Sequence, residues 1–161
     1  MPEWTEIQIV DGPRLRMVAS AIGVQAIDFH LNWPVAGVER NDQNVLLRET
    51  TRQLEAYFAG DLKIFELPLD MQGTAFQTRV WDELLRIPYG ETRSYMQVAV
   101  AVSAPNAVRA VGAANGANPV PIVVPCHRVI GSSGKLTGYG GGLPLKKRLL
   151  ELEGSLAMRL L

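Results

Sequence analysis

Apolar and polar residues roughly alternate from Trp4 to Val10 and again from Arg14 to Ser20, with Asp11-Gly12-Pro13 between the two runs. Period-two alternation interrupted by a turn signal predicts a β-hairpin. A third strand is predicted from Gly23 to Leu31, with Val24, Ala26 and Phe29 as its core candidates. Asn32 to Asp42 is polar and carries Pro34 and Gly37, which predicts a loop. The period then changes. Leu47, Leu54 and Phe58 recur at helical spacing between Asn44 and Ala59, and Gly60 stands where a C-terminal cap belongs. Lys63 to Leu67 reads as one more strand. The first part of the chain is therefore a small α+β layer, and Pro68 to Gly73 is its junction with the rest. The domains are placed at residues 1–73 and 74–161.

Beyond the junction the pattern is helical. Thr74 can cap a helix carrying Phe76, Val80, Leu84 and Ile87, ended by Pro88 and Gly90. A short helix from Ser94 to Val102 and a third from Asn106 to Ala117 flank a turn at Pro105, and together they predict a helix-turn-helix. Val98, Val100 and Val102 are β-branched and oppose the middle helix, and no Gly precedes Pro105 to make the turn. On the third helix, Ala107, Val111 and Ala114 form a core face, while Arg109, Gly112, Ala113 and Gly116 form the opposite stripe. Two glycines inside a helix each cost about 1 kcal/mol relative to Ala. A smooth stripe with one Arg lets the backbone approach another surface closely, either a DNA groove or a neighbouring helix.

Composition narrows the class. With 161 residues, 47% hydrophobic and 20% charged, the chain is an ordinary globular protein, which excludes long disorder and collagen-like repeats. No run approaches the roughly 20 apolar residues that span a bilayer. Met1-Pro2-Glu3-Trp4 has no basic stretch followed by an apolar one, so no secretory signal is expected. The one cysteine, Cys126, cannot form an internal disulfide and suits a reducing, cytoplasmic setting. With only His30 and His127 beside it, no metal site and no cofactor are expected. His30 ends a strand pattern and reads as a structural or surface residue. Residues 1–73 hold 6 Lys/Arg against 11 Asp/Glu, net −5, and residues 74–161 hold 10 against 5, net +5. The basic second half is a modest argument for an anionic partner.

The chemistry concentrates after Asn118-Pro119, where Val120 to Val124 is apolar and leads into Pro125-Cys126-His127-Arg128. Read as an extended segment, it delivers a Cys between Pro125, which fixes the backbone, and His127 with Arg128, which supply a base and a positive charge. A neighbouring cation or base lowers a thiol's pKa, and the thiolate is the nucleophile. The alternative is a small buried hydrophobe. Adjacent residues of an extended chain point to opposite sides, so contact between Cys126 and His127 requires a bend or a bridging water.

Pro125-Cys126-His127-Arg128, preceded by Arg109-Ala110-Val111-Gly112 and followed by Gly138-Tyr139-Gly140-Gly141-Gly142, resembles the O6-alkylguanine-DNA alkyltransferases. The resemblance includes Ile87-Pro88-Tyr89-Gly90-Glu91-Thr92-Arg93-Ser94-Tyr95 and Leu149-Leu150-Glu151-Leu152-Glu153-Gly154, and it runs from Thr74 to about Gly154 without a gap. The first 73 residues match loosely, in length and in Tyr57-Phe58-Ala59-Gly60. The resemblance implies an RNase H-like N-terminal domain and a mostly helical C-terminal domain. It implies stoichiometric, irreversible transfer of an alkyl group from O6-alkylguanine, and from O4-alkylthymine, in double-stranded DNA to Cys126. His127 would be the base, through a water, and Glu153 would orient it.

By the same resemblance Arg109 would replace the flipped base in the stack, on a helix whose Ala107, Val108, Gly112, Ala113 and Gly116 meet the minor groove. Tyr95 would crowd the target phosphate and contact the base edge. Pro121, Val129, Tyr139 and Gly140 would line the alkylguanine pocket, and Asn118 would be a structural hinge. The protein is expected to be a monomer in the absence of DNA, with no membrane partner. Zinc-binding cysteines found in some members are missing here.

Three rival readings remain. A lesion-sensing, non-transferring relative would replace the Cys, which is present. A helix-turn-helix regulator would carry base-reading side chains where Gly and Ala stand. A cysteine hydrolase would need an oxyanion hole that the sequence does not locate.

Overall fold

In the computed structural model, residues 1–31 and 37–155 are described, and the chain divides into two compact units, Met1–Gln72 and Gly73–Leu161. Part of the loop expected at 32–42 therefore lies outside the described residues.

In the first unit the alternating runs form the expected hairpin, β1 (Glu3–Gln8) and β2 (Arg14–Ala19), with Ile7 opposite Leu15 and Trp4 opposite Val18. Asp11 turns the chain with φ +53°. β3 (Val24–Asp28) pairs antiparallel with β2, and the two-residue β4 (Glu39–Arg40) pairs parallel with β1, giving the order β3-β2-β1-β4. The register slips between Val18 and Ala19, which face Ala26 and Val24. This bulge advances the side-chain phase by one residue. Val24 and Ile27 are therefore the buried residues of β3, where alternation pointed to Ala26, and Phe29 is half-buried.

Helix α1 (Val45–Phe58) packs on β1 and β2. Asn44 caps it by accepting from the Leu47 amide, and Gly60 follows its end with φ +83°. Leu47 and Leu54 are buried as expected, but the buried aromatic is Tyr57 and Phe58 is only half-buried. Lys63 to Leu67 is not a strand. The Gln53 side chain satisfies the Glu66 backbone at both N–H and C=O, so that segment has no need of a ladder.

In the second unit α2 (Ala75–Leu84) begins with a capping box between Thr74 and Gln77 and buries Val80, Trp81 and Leu84. β5 (Arg93–Ser94) leads into α3 (Tyr95–Ala101), and α4 (Val108–Gly116) completes the helix-turn-helix. A Ser94–Gln97 capping box holds α3 against the poor helix propensity of its valines. The turn glycine missing from the sequence is replaced by Ser103 in a left-handed conformation, φ +60°. Trp81 Nε1 donates to the Ala114 carbonyl at 2.8 Å and fixes α4 on α2. Beyond α4 lie a single 3-10 turn, Cys126–Arg128, the strand β6 (Val129–Ile130) paired parallel with β5, and α5 (Leu143–Leu152). Among the described residues no helix is long and apolar enough to cross a membrane.

Candidate active site

The approach to Cys126 is a tight loop followed by one 3-10 turn, not the extended segment that its apolar residues suggested. Asn118 staples that loop: its Oδ1 accepts from the Val120 amide at 3.0 Å and its Nδ2 donates to the Val124 carbonyl at 2.8 Å. The Val124 amide closes the loop on the Val120 carbonyl at 3.0 Å. Ile122, buried and β-branched, sits at the apex with φ +75°, a conformation that costs about 1–3 kcal/mol and persists only where its surroundings impose it. The Cys126 amide then bonds the Val124 carbonyl, and Asn115 Nδ2 donates to the Cys126 carbonyl at 3.3 Å. Five apolar residues folded on themselves place the thiol inside the protein, 5% exposed.

The turn sends Cys126 and His127 in different directions, because side chains of a 3-10 turn diverge by about 120° per residue. His127 Nε2 meets Glu153 Oε2 at 2.8 Å, with both side chains wholly buried. Arg128 forks onto the same carboxylate through Nε at 2.8 Å and Nη2 at 3.0 Å, and its Nη1 donates to the Ile87 carbonyl at 2.6 Å. The guanidinium lies 5.7 Å from the Tyr89 ring centre, and the Tyr89 hydroxyl donates to the Leu152 carbonyl. Glu153 caps α5, so this helix end carries the anchor for the whole turn.

The electrostatics assign the protons. Burial alone would raise the Glu153 carboxyl, but hydrogen bonds from His127 and Arg128 outweigh it and hold the group at about 2. Burial pulls His127 below its usual range against the pull of Glu153. At neutral pH the pair is a carboxylate and a neutral imidazole. A carboxylate only accepts, so Nε2 carries the hydrogen and Nδ1 presents a lone pair. That Nδ1 is buried with no hydrogen-bond partner among the described residues. Burial pushes the Cys126 thiol up to about 11, opposed by the Asn118 side chain and the Lys146 charge. The resting thiol is therefore protonated, and its use as a nucleophile calls for a base.

The structure thus buries Cys126, His127 and Glu153, with the half-buried Asn118 acting on Cys126 and Glu153 bonded to His127, and it buries Pro121 and Val129 as well. Tyr139 is half-buried and Gly140 exposed. Tyr95 shares a 2.8 Å hydrogen bond with the Thr137 hydroxyl. On α4, Val111, Ala114 and Asn115 face inward, while Arg109, Ala113 and Gly116 are exposed and Ala107, Val108 and Gly112 are half-buried. The smooth stripe does not serve helix packing. A Cβ at Gly116 would meet nothing within 4 Å, and one at Gly112 would rest 3.9 Å from the Tyr95 ring, an ordinary contact. Among the described residues no group of three or more His, Cys, Asp and Glu side chains could hold a metal ion.

Two residues of this region went unassigned in the sequence. Arg128 was visible as a nearby charge but not as the fork that fixes Glu153. Lys146 was not singled out. Its signal is its place on the apolar stripe of α5 with Leu149 and Leu150, where a charge is unexpected.

Residues 75–155 match the model of the 6-O-methylguanine DNA methyltransferase DNA-binding domain, and residues 19–71 match the ribonuclease-like domain of the same family. The chain belongs to the O6-methylguanine-DNA methyltransferase family. It is 66% identical over 105 residues to the methylated-DNA–protein-cysteine methyltransferase of Mycobacterium bovis, covering 65% of this chain and 64% of that protein. Its likeness to the same-named protein of Methanosarcina acetivorans is 60% over 108 residues, covering 67% and 69% of the two chains. The crystal structure of Mycobacterium tuberculosis OGT in complex with DNA superposes with a TM-score of 0.88 at 46% identity, covering 95% of this chain and 93% of that one. Both the α+β layer and the helical unit therefore have their counterparts in the family.

Proposed function

We propose that this chain repairs DNA by direct reversal, taking the alkyl group from the O6 atom of guanine in duplex DNA onto Cys126, once per molecule. One observation carries the reading: a buried thiol adjoins a neutral imidazole whose Nε2 is held by an ionised Glu153 and whose Nδ1 lone pair is unspent. That is a base waiting for a proton. His127 Nδ1 takes the thiol proton through a water, and Glu153, fixed by Arg128, stabilises the imidazolium that results. The thiolate attacks the sp³ carbon of the alkyl group, so the C–S bond forms as the C–O bond breaks. The electron pair leaves on the guanine, which takes up a proton, and hydrogen bonds from Tyr95 or Tyr139 ease its departure. A thioether has no route back, which makes the protein a reagent consumed in the reaction.

The exposed stripe of α4 supports duplex DNA as the partner. A Cβ at either glycine would meet no close contact inside the protein, so their cost of about 1 kcal/mol each finds its return in an external surface. Arg109 stands on that stripe where it can fill the stack after base flipping. The helix starts at Ala107 with no side-chain cap, leaving first-turn amides for a phosphate. The similar Mycobacterium tuberculosis protein crystallised with DNA adds to this. In this reading Pro121, Val129, Tyr139 and Gly140 line the base pocket, Asn118 is the hinge, and alkylated thymine is a second substrate. Residues 1–73 support the acceptor domain. The protein is a monomer until it meets DNA, uses no cofactor, and acts in the cytoplasm, where its thiol stays reduced.

The test is intact mass after mixing with duplex DNA carrying one O6-methylguanine, with Cys126→Ser alongside. The reading requires a gain of one methyl group, in proportion to protein and absent in the variant. Tight lesion binding without mass gain would favour the lesion-sensing alternative.

A further inference from the structure

One buried charge has no part in that chemistry. Lys146 has no solvent exposure, and its ammonium donates to the Val129 carbonyl at 2.7 Å and to the Thr137 carbonyl at 3.0 Å. No carboxylate forms an ion pair with it among the described residues. An ammonium withdrawn from water without a counter-charge is among the least favourable burials in a protein, so its presence calls for a compensating gain. Geometry and charge each supply one.

The geometric gain is a clamp. Val129 directly follows the Cys126–Arg128 turn, and Thr137 belongs to the Gly-rich segment 131–142. The hydroxyl of Thr137 bonds that of Tyr95 at the start of α3. Lys146 therefore joins β6 to that segment, and Thr137 extends the brace to the helix-turn-helix. The other end of α5 does the complementary task two turns later, where Glu153 holds His127 and Arg128. Three consecutive residues after Cys126 are thus held by one helix.

The second gain is charge. Burial pulls Lys146 down to about 8 while the Cys126 side acts to raise it, and the Lys146 charge in turn lowers a thiol that burial drives up. The thiolate is the counter-ion that the ammonium lacks in the resting protein. The other charged or titratable side chains of the same turn, His127 and Arg128, are engaged by Glu153.

We propose that Lys146 is a positioning residue for alkyl transfer, which clamps β6 to the 131–142 segment and supplies the positive charge that favours Cys126 as a thiolate. The proposal rests on the reading of Cys126 as alkyl acceptor.

The experiment compares the full chain with Lys146→Met, Lys146→Gln and Lys146→Arg. The rate at which a small soluble reagent alkylates Cys126 at pH 6.5, where Lys146 carries its charge, reports the thiolate fraction without DNA, with Cys126→Ser as the blank, and hydrogen exchange reports on residues 131–142. Single-turnover transfer from O6-methylguanine duplex and DNA affinity complete the set. In Lys146→Met and Lys146→Gln the small-reagent rate at pH 6.5 falls about tenfold or more, since each unit by which the thiol rises removes tenfold of its thiolate. Transfer at neutral pH slows about tenfold or more for the same reason. Exchange in 131–142 quickens, DNA affinity holds, and Lys146→Arg recovers much of the small-reagent rate. A small-reagent rate and segment exchange equal to the wild type would overturn the proposal, even with slower transfer. Where the wild type itself transfers no methyl group, the functional reading fails and the small-reagent rate still decides the role of Lys146. Should the variants not fold, the pH profile of the wild-type small-reagent rate replaces them. The profile flattens at about pH 8, where Lys146 loses its proton, and an unbroken rise through pH 8 would overturn the proposal.

Discussion

Glu153→Gln separates the geometry of the site from its chemistry. The carboxylate accepts three hydrogen bonds of 2.8, 2.8 and 3.0 Å from His127 and Arg128, all within the protein interior. An amide keeps the shape and loses the charge, which leaves the Arg128 guanidinium, 8% exposed, without a counter-ion. Removing one partner of a buried pair costs about 3–5 kcal/mol. Linkage gives an independent figure. A carboxyl held at about 2 instead of 4.5 contributes, at about 1.4 kcal/mol per unit, about 3 kcal/mol at neutral pH. The two routes agree.

Because the folded value lies below the unfolded one, that stabilisation is complete above about pH 4.5 and is lost as pH falls towards 2. His127, lowered from 6.5 chiefly by burial, adds a loss that starts as pH drops through 6.5, because the unfolded imidazole takes a proton first. Glu3, Glu6, Asp42, Glu49 and Asp70 are also held below their ordinary range, but all belong to residues 1–72. The assay is urea unfolding read by hydrogen-exchange mass spectrometry, which reports residues 73–155 apart from the rest. At pH 7 the variant should be less stable there by about 3 kcal/mol, and the gap should narrow as pH falls to about 3. Alkyl transfer should slow by about 10²-fold or more, through a disoriented base. A cost under about 1 kcal/mol, or a gap unchanged between pH 7 and 3, would refute the reasoning.

Arg109→Ala should slow repair of duplex DNA while Cys126 keeps its reactivity towards a small soluble alkylating agent; an unchanged duplex repair rate would remove Arg109 from its role. Ser103→Gly should raise the urea midpoint of residues 73–155. A left-handed Ser costs about 1–2 kcal/mol and the added chain entropy of Gly about 0.5–1, leaving a gain of about 0.5–1 kcal/mol. Gly23→Ala should destabilise residues 1–72 by about 2 kcal/mol or more, because its Cβ would stand 2.7 Å from the backbone of Pro68 and Leu69; equal urea midpoints would contradict that contact. A methyl group on Cys126 overpacks a buried site by about 1–3 kcal/mol, and calorimetry should show the alkylated protein melting lower than the free one.

The elements legible in the sequence are those whose signal is local. Alternation gave the hairpin, and Asn44, Thr74 and Gly60 marked helix ends with their own side chains or their own φ. The misreadings share a cause in long-range pairing. Nothing within β3 announces the slip opposite Val18 that turns Ile27 inward, and nothing near Lys63 reveals that Gln53 will satisfy Glu66. Helix α3 shows the converse. Its valines argue against a helix, yet Ser94 and Gln97 close both ends of a capping box and decide the matter at the first turn.

The site divides along the same line. Cys126, His127 and Arg128 adjoin one another, so their chemistry could be read directly, but what the side chains of His127 and Arg128 touch is set 25 to 41 residues away. His127 alone is ambiguous between tautomers, and only the ionised Glu153 on the far side fixes which nitrogen is basic. Arg128 alone is a loose positive charge. Forked onto Glu153 and pinned to the Ile87 carbonyl, it keeps that carboxylate ionised, so that in the proposed mechanism the proton stays on His127. The base strength of one residue therefore depends on its neighbour in sequence, acting through a third residue at the end of another helix. A spacing pattern names the participants; the tautomer that the proposed proton transfer needs is fixed only by Glu153 at the end of α5.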